Sequence, residues 1–312
     1  DEYRIVGEEG TLYIPVTDPG GVPEAFETTT RDLPPRRTVE TPADLLGDEP
    51  SLERLGDVVI VDEDDAERAA EIAEAVMASD LPARSVLNRA SKIKGELRVR
   101  DWELLAERED ADTDRSPTET VHREYGHEFL LDLAAVYFSP RLATERHRVV
   151  SQIQPGEHVL DMFAGVGPFA IPAASRDAEV VAVDLNETAV DYCRENARRN
   201  GVSDLLTAVA GDVREVATDY HGWADRLVMN LPHSADEFLE TAVDLAGEEC
   251  VLHYYDIQHD SDPFGPGIEA IRAAAEPTYD VAVETEHVVR SYAPHEENVC
   301  LDVRLTKSEP NR

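Results

Sequence analysis

Four short runs in this 312-residue chain end apolar stretches in polar side chains or glycine, the arrangement that lets a fold hold a small charged ligand. In HVLDMFAGVGPFAIP, residues 158–172, Asp161 precedes a turn containing Phe163, Ala164, Gly165 and Gly167, and a helix is expected from Pro168. Glycine can take positive φ and let backbone N–H groups approach a ligand, while the N-terminus of a following helix adds oriented donors. Gly165, Gly167 and Ala170 satisfy the pattern GxGxxG/A, so the turn alone suits hydride transfer and group transfer equally. The other runs end in Asp184, Leu185 and Asn186, in Asp212 and Val213, and in Asn230, Leu231 and Pro232. Asp184 can accept from both hydroxyls of a ribose, and Asp212 from an adenine amino group. Each aspartate alone is as consistent with a helix cap, but four polar strand ends together exceed what capping requires.

These residues need a frame that brings strand ends together. From residue 158 onward apolar runs alternate with helical patterns: HVLDMFA, EVVAVDL, LTAVAGD, RLVMNL and CVLHYYDI are separated by ETAVDYCRENARRN, ADEFLETAVDLA and similar segments. Near-continuous apolar strands between helices indicate a parallel sheet covered on both faces. DVAVETEHVVRSY and ENVCLDVRL are joined only by APHE, which permits a hairpin and forbids a parallel crossover. A doubly wound parallel α/β sheet ending in an antiparallel hairpin resembles the class I S-adenosylmethionine-dependent methyltransferase fold. Composition divides the chain into a partial N-terminal module (1–47), with a strand TLYIPV and a Pro/Arg-rich linker; a smaller α+β domain (48–147); and the sheet domain (148–312). In the middle region DVVIVD, SVLNRA, LRVRDWELL and EFLLDLAAVYF read as strands, DAERAAEIAEAVMAS as a helix, and 107–120 as an acidic loop.

The formal charge is −37, from 66 acidic and 29 basic residues, with lysine only at 92, 94 and 307. Such a balance suits a solvated surface in high salt and ordinarily opposes nucleic-acid binding. The stretch 84–100 is the exception, carrying Arg84, Arg89, Lys92, Lys94, Arg98 and Arg100 against Glu96 alone. Three scattered cysteines with no CxxC pair argue against a disulfide framework or a structural zinc, and no metal is expected. No apolar run reaches membrane-spanning length and no targeting signal is visible, so a cytoplasmic setting is expected. The chain opens without Met, as if part of its first module were missing.

With the sheet and its motifs in place, a family resemblance follows. AsnLeuPro at 230–232 resembles the NPPY-like motif of methyltransferases acting on base nitrogens. GELRVRDWELL, TETVHREYG, VYFSPRLATER, VLDMFAGVGPFAIP, VDLN, GDVRE, VMNLP, LHYYDI and RSYAP resemble, in this order, archaeal tRNA methyltransferases that modify N1 of guanine 37. The resemblance implies S-adenosylmethionine as donor and tRNA as partner, gripped at the elbow and the anticodon stem-loop, with no obligate protein partner. It implies Glu145 as the base for the N1 proton, Arg98 as donor to O6, Asn230 and Pro232 orienting the guanine, and Tyr137 and Arg141 shaping its pocket. Arg146 and Phe163 would touch the donor. The donor turn and strand ends would hold the rest of it, and Arg84, Arg89, Lys92, Lys94, Arg100 and Arg141 would bind RNA. From residues alone, Glu145 reads as a helix-surface glutamate paired with Arg141 or Arg148 rather than as a base. Aminocarboxypropyl transfer to a wybutosine precursor is the rival within the same fold, and the acidic loop reads as a saline-habitat insertion.

Overall fold

The computed structural model describes residues 3–308 apart from 9, 35–38, 93, 96, 110–114 and 277. The centre of the expected acidic loop, part of the Pro/Arg-rich linker and Glu96 therefore lie outside the described residues. β1 (Val6–Glu8) and β2 (Thr11–Tyr13) form a small hairpin, so only the first half of TLYIPV is strand. α1 (Pro42–Leu46) starts at a capping box made by Thr41 and Asp44 and stops at Gly47. β3 (Leu52–Leu55), β4 (Val58–Val61), α2 (Ala66–Ala78), β5 (Ser85–Arg89) and β6 (Trp102–Glu107) build a sheet in chain order in which only β4 and β5 run parallel. β4 is buried along its whole length because both faces are covered. Val59 and Val61 pack on Ile72 and Val76 of α2, while Val58 and Ile60 join a core that continues to Phe129, Val149, Phe169 and Tyr255.

β7 (Glu119–Glu124) and β8 (His127–Asp132) form a hairpin, followed by α3 (Ala143–Val150), β9 (His158–Asp161), α4 (Ala170–Ala174), β10 (Glu179–Asp184), α5 (Glu187–Arg199), β11 (Leu206–Ala210) and α6 (Val213–Val216). β12 (Ala224–Met229), α7 (Leu239–Leu245), β13 (Ala246–His259), α8 (Gly265–Ala275), β14 (Tyr279–Ala293) and β15 (Glu296–Lys307) complete the described elements. The large sheet has the order β11-β10-β9-β12-β13-β15-β14. Its first five strands are parallel, β15 runs against them, and β14 pairs antiparallel with β15, as expected from the short link between these two, here the two-residue turn Pro294–His295. All three cysteines are free and buried. No described helix is long and apolar enough to cross a membrane.

Three expectations about elements are corrected. The strand EFLLDLAAVYF stops at Asp132, whose carboxylate accepts from Thr118 Oγ1 at 2.5 Å and from the Ala134 N–H at 2.8 Å; this Asx turn reverses the chain. LRVR is not a strand: Lys94 bridges Val99, Arg98 donates its N–H to Gly95 O at 3.2 Å, and Arg98 sits at φ 55, so β6 begins only at Trp102. The helix expected from Pro168 begins at Ala170 and has five residues.

Candidate functional site

In an open α/β sheet the ligand crevice lies beyond the carboxyl ends of the strands where the order reverses, here between β9 and β12. The two glycines of the turn after β9 do different work. Gly167, at φ 88, is a packing residue, because an added Cβ would lie 2.9 Å from Cys193 Sγ and 3.0 Å from Ile171 Cγ1. Gly165, at φ 53, would meet only the Tyr137 carbonyl, at 3.9 Å, so its face stays open. Asp184 accepts the Gly165 N–H at 2.7 Å and the Asn186 N–H at 2.8 Å, one on each oxygen, leaving capacity on both for a further donor. Burial raises its pKa. Asn186 caps α5 and donates to Ala135 O at 2.8 Å, tying the donor side to the 133–139 segment.

Asp161 is 1% exposed; Oδ1 accepts the Phe163 N–H at 3.3 Å and Oδ2 has no partner. Burial pushes this carboxyl up to about 7. A buried carboxylate oxygen left open beside a glycine cradle fits a ligand that brings its own cationic N–H donor. Ala164 is fixed by its N–H to Val183 O at 2.8 Å, Phe163 meets Phe238 edge-on at 5.0 Å, and Leu185 is half exposed. Asp212 is occupied on the protein side: it caps α6 through the Arg214 N–H at 2.9 Å and pairs with the Arg214 guanidinium, while Val213 is buried. Asn230 follows β12, two residues after Val228, which is in register with Asp161, and Pro232 is buried behind it.

Glu145, on α3, is buried and fully engaged. Arg148 holds both of its oxygens at 2.8 Å, the Tyr255 hydroxyl donates at 2.8 Å, and His287 Nε2 lies 3.3 Å away. The expected pairing with Arg148 is present, but inside the protein rather than on a helix surface. Arg148 continues to Asp302 at 2.5 Å, Asp302 to His253 at 2.7 Å, and His253 to Arg226 at 2.7 Å. In spite of burial, Glu145 and Asp302 hold the Arg148 guanidinium charged above its ordinary range. Burial first, and then the neighbouring Cys300 and Glu145, push the Tyr255 hydroxyl well up. Arg146, expected at the donor, is held by the protein. It is 3% exposed, clamps Glu124 at 2.8 and 2.5 Å, donates to Ser139 O, and lies over the Phe138 ring, so it builds the wall instead.

A cavity of about 160 Å³ opens between β6, the 133–141 segment and β14, with an apolar floor of Leu55, Ile60 and Val136. Arg98 lies 4.9 Å over the Tyr137 ring and Arg100 5.5 Å over Trp102. Both line this one cavity. Arg141 lines it too and pairs with Glu53 at 3.2 Å. Tyr137 joins the two regions, its carbonyl facing Gly165 and its ring facing Arg98.

Half of the six basic residues in 84–100 are paired within the protein. Arg84 is 8% exposed and spent on Glu107, Asp57 and the carbonyls of Ser116 and Glu119. Arg89 pairs with Glu53 and Asp62, and Lys94 with Asp101, leaving exposed Lys92 without an ion pair among the described residues. Sequence reasoning missed Tyr255, His287 and Arg290, and the reach of Arg148 to Asp302. Their only signal is chemical type within helix α3 and long strands, and their contacts bridge as many as 154 positions, as Arg148 to Asp302 does.

The model of the TRM5/TYW2 methyltransferase domain matches residues 120–284, and that of the TYW2 N-terminal domain matches residues 39–109. The tRNA (guanine(37)-N(1))-methyltransferase Trm5b of Pyrococcus abyssi is 38% identical, covering 97% of this chain and 91% of its own length. A tRNA(Phe) (4-demethylwyosine(37)-C(7)) aminocarboxypropyltransferase of Pyrococcus horikoshii is 33% identical over 82% of this chain and 89% of its own. The solved complex of aTrm5 and tRNALeu superposes with a TM-score of 0.74 at 31% identity, covering 98% of this chain and 92% of that one. Sheet order, strand-end chemistry and these likenesses agree: the chain belongs to the TRM5/TYW2 methyltransferase family.

Proposed function

We propose that this chain transfers a methyl group from S-adenosylmethionine to N1 of guanine 37 in tRNA. The observation that carries the reading is the open Asp161 oxygen beside the Gly165 cradle, one residue wall away from the Arg98–Tyr137 cavity, in a chain 38% identical to a relative named for that reaction. S-adenosylmethionine, when bound, supplies a methyl group on a sulfonium. Asp161 receives its ammonium, Asp184 and Leu185 its ribose, and Ala164, Gly165, Asn186 and Val213 border the remainder. Asp212 reaches the adenine while keeping Arg214. Guanine N1 carries a proton at neutral pH, so methylation needs a base there and a donor at O6. Glu145 takes the proton, and Arg98 donates to O6. Asn230 and Pro232 orient the base against Tyr137, which fixes the in-line geometry that transfer from a sulfonium requires.

Lys92, Arg100 and Arg141 serve the RNA. Residues 1–47 act at the tRNA elbow, 48–147 on the anticodon stem, and 148–312 in chemistry, in a cytoplasm whose salt screens the −37 charge. A second reading, aminocarboxypropyl transfer, is favoured by the match of residues 39–109 to the TYW2 N-terminal domain and by the 33%-identical relative. Incubation of unmodified tRNA with methyl-labelled or chain-labelled S-adenosylmethionine separates the two. Methyl label should enter wild-type transcript and not one substituted at nucleotide 37. Label retained after that substitution contradicts the target, and chain label in the RNA contradicts methyl transfer.

A further inference from the structure

Arginines without carboxylate partners are unexpected in a chain with 66 acidic residues against 29 basic ones. Yet Arg98, Arg100 and Arg290, all lining the 160 Å³ cavity, have no ion pair among the described residues, while Glu53, its single acid, is shared by Arg89 and Arg141. The Nε atoms of Arg89 and Arg290 are buried with no hydrogen-bond partner. Arg290 follows a register shift in β14 between Val288 and Arg290, and such bulges re-aim side chains beside functional sites. Burial and the neighbouring Arg89 both disfavour the charge on Arg100. The cavity thus concentrates positive charge over an apolar floor and supplies too few acceptors.

We propose that this cavity is a phosphate subsite in which Arg100 and Arg290 grip one phosphodiester of the RNA beside the target nucleotide. It rests on the reading of tRNA as substrate. A volume of about 160 Å³ has room for a phosphate group beside Arg98, which is left to the target base. Guanidinium forks match phosphate oxygens bidentately, and a dry floor keeps the attraction from being screened away. That locality is what a chain of charge −37 needs, because its long-range field repels RNA.

The test uses the full chain, Arg290→Gln and Arg100→Gln, with transcripts carrying one uncharged methylphosphonate linkage at each position flanking nucleotide 37. On unmodified tRNA each variant should bind about tenfold more weakly, with the slope of log affinity against log salt smaller by about 1. One particular linkage should cost wild type about tenfold and cost Arg290→Gln nothing more. Wild-type circular dichroism and melting temperature establish that the variants fold. Independent, additive losses at every linkage, or unchanged tRNA affinity, overturn the proposal, as does weakened donor binding, which would make the donor's carboxylate the anion. If the substrate reading itself were wrong, wild type would fail to methylate the unmodified transcript at all, a result distinct from every one of these.

Discussion

Asp161 and Glu145 are almost equally buried and oppositely satisfied. One oxygen of Asp161 has no partner, whereas Glu145 is held by Arg148, Tyr255 and His287. Burying a carboxylate oxygen without a donor is costly, so a fold keeps one where a ligand supplies the missing N–H. In the proposed reading the donor side is finished by its ligand, while the acceptor side is finished by the protein. Glu145 is oriented in advance, and half-exposed His287 is the longest of its contacts and the first that an arriving base would displace.

The comparison breaks most severely on the acceptor side. Glu145→Ala should lower single-turnover methyl transfer by about 10²–10⁴-fold while donor affinity by calorimetry stays at the wild-type value. Arg98→Ala should cost about 10²–10³-fold in the same assay, again without weakening the donor. Asp161→Asn should do the reverse, weakening donor binding by roughly 10–100-fold with a smaller effect at saturating donor.

Its pH signature sharpens the point. Since burial pushes the Asp161 carboxyl up to about 7, an ammonium must displace a proton from it below that pH. Donor affinity should therefore rise as pH climbs through 7 and decline once the donor's amino group loses its proton near about 8. A folded pKa above the ordinary 3.8 also means that the ligand-free fold loses stability as pH rises from about 4 to 7, so donor binding should raise the melting temperature more at pH 7.5 than at pH 6. Asp161→Asn should abolish both trends. The smallest effect separates the glycines. Gly167→Ala should cost about 1–3 kcal/mol of stability by overpacking against Cys193 and Ile171, and Gly165→Ala only about 1 kcal/mol of backbone strain while impairing donor binding.

Much of the donor side was legible in the sequence because it is local. A strand, its terminal aspartate and the turn after it lie within ten residues, and the short APHE link announced the closing hairpin. The acceptor side was legible only through family resemblance, since its contacts are remote. Arg146 meets Glu124 from 22 positions away and Glu145 meets Tyr255 from 110. The basic stretch misled for a related reason. Charge type along the chain does not reveal which carboxylates arrive from other strands, so Arg84 read as surface although it is an internal brace. LRVR read as strand, but its β-propensity yielded to the reversal that puts Arg98 at φ 55.

The central claim is a methyl group on one nitrogen of one nucleotide. Nucleoside analysis of wild-type reaction product, digested after incubation of unmodified tRNA with S-adenosylmethionine at high salt, tests it directly. The account predicts 1-methylguanosine from nucleotide 37 alone. An unmethylated product, a methyl group on another atom or nucleotide, or a nucleoside bearing an aminocarboxypropyl group would contradict it.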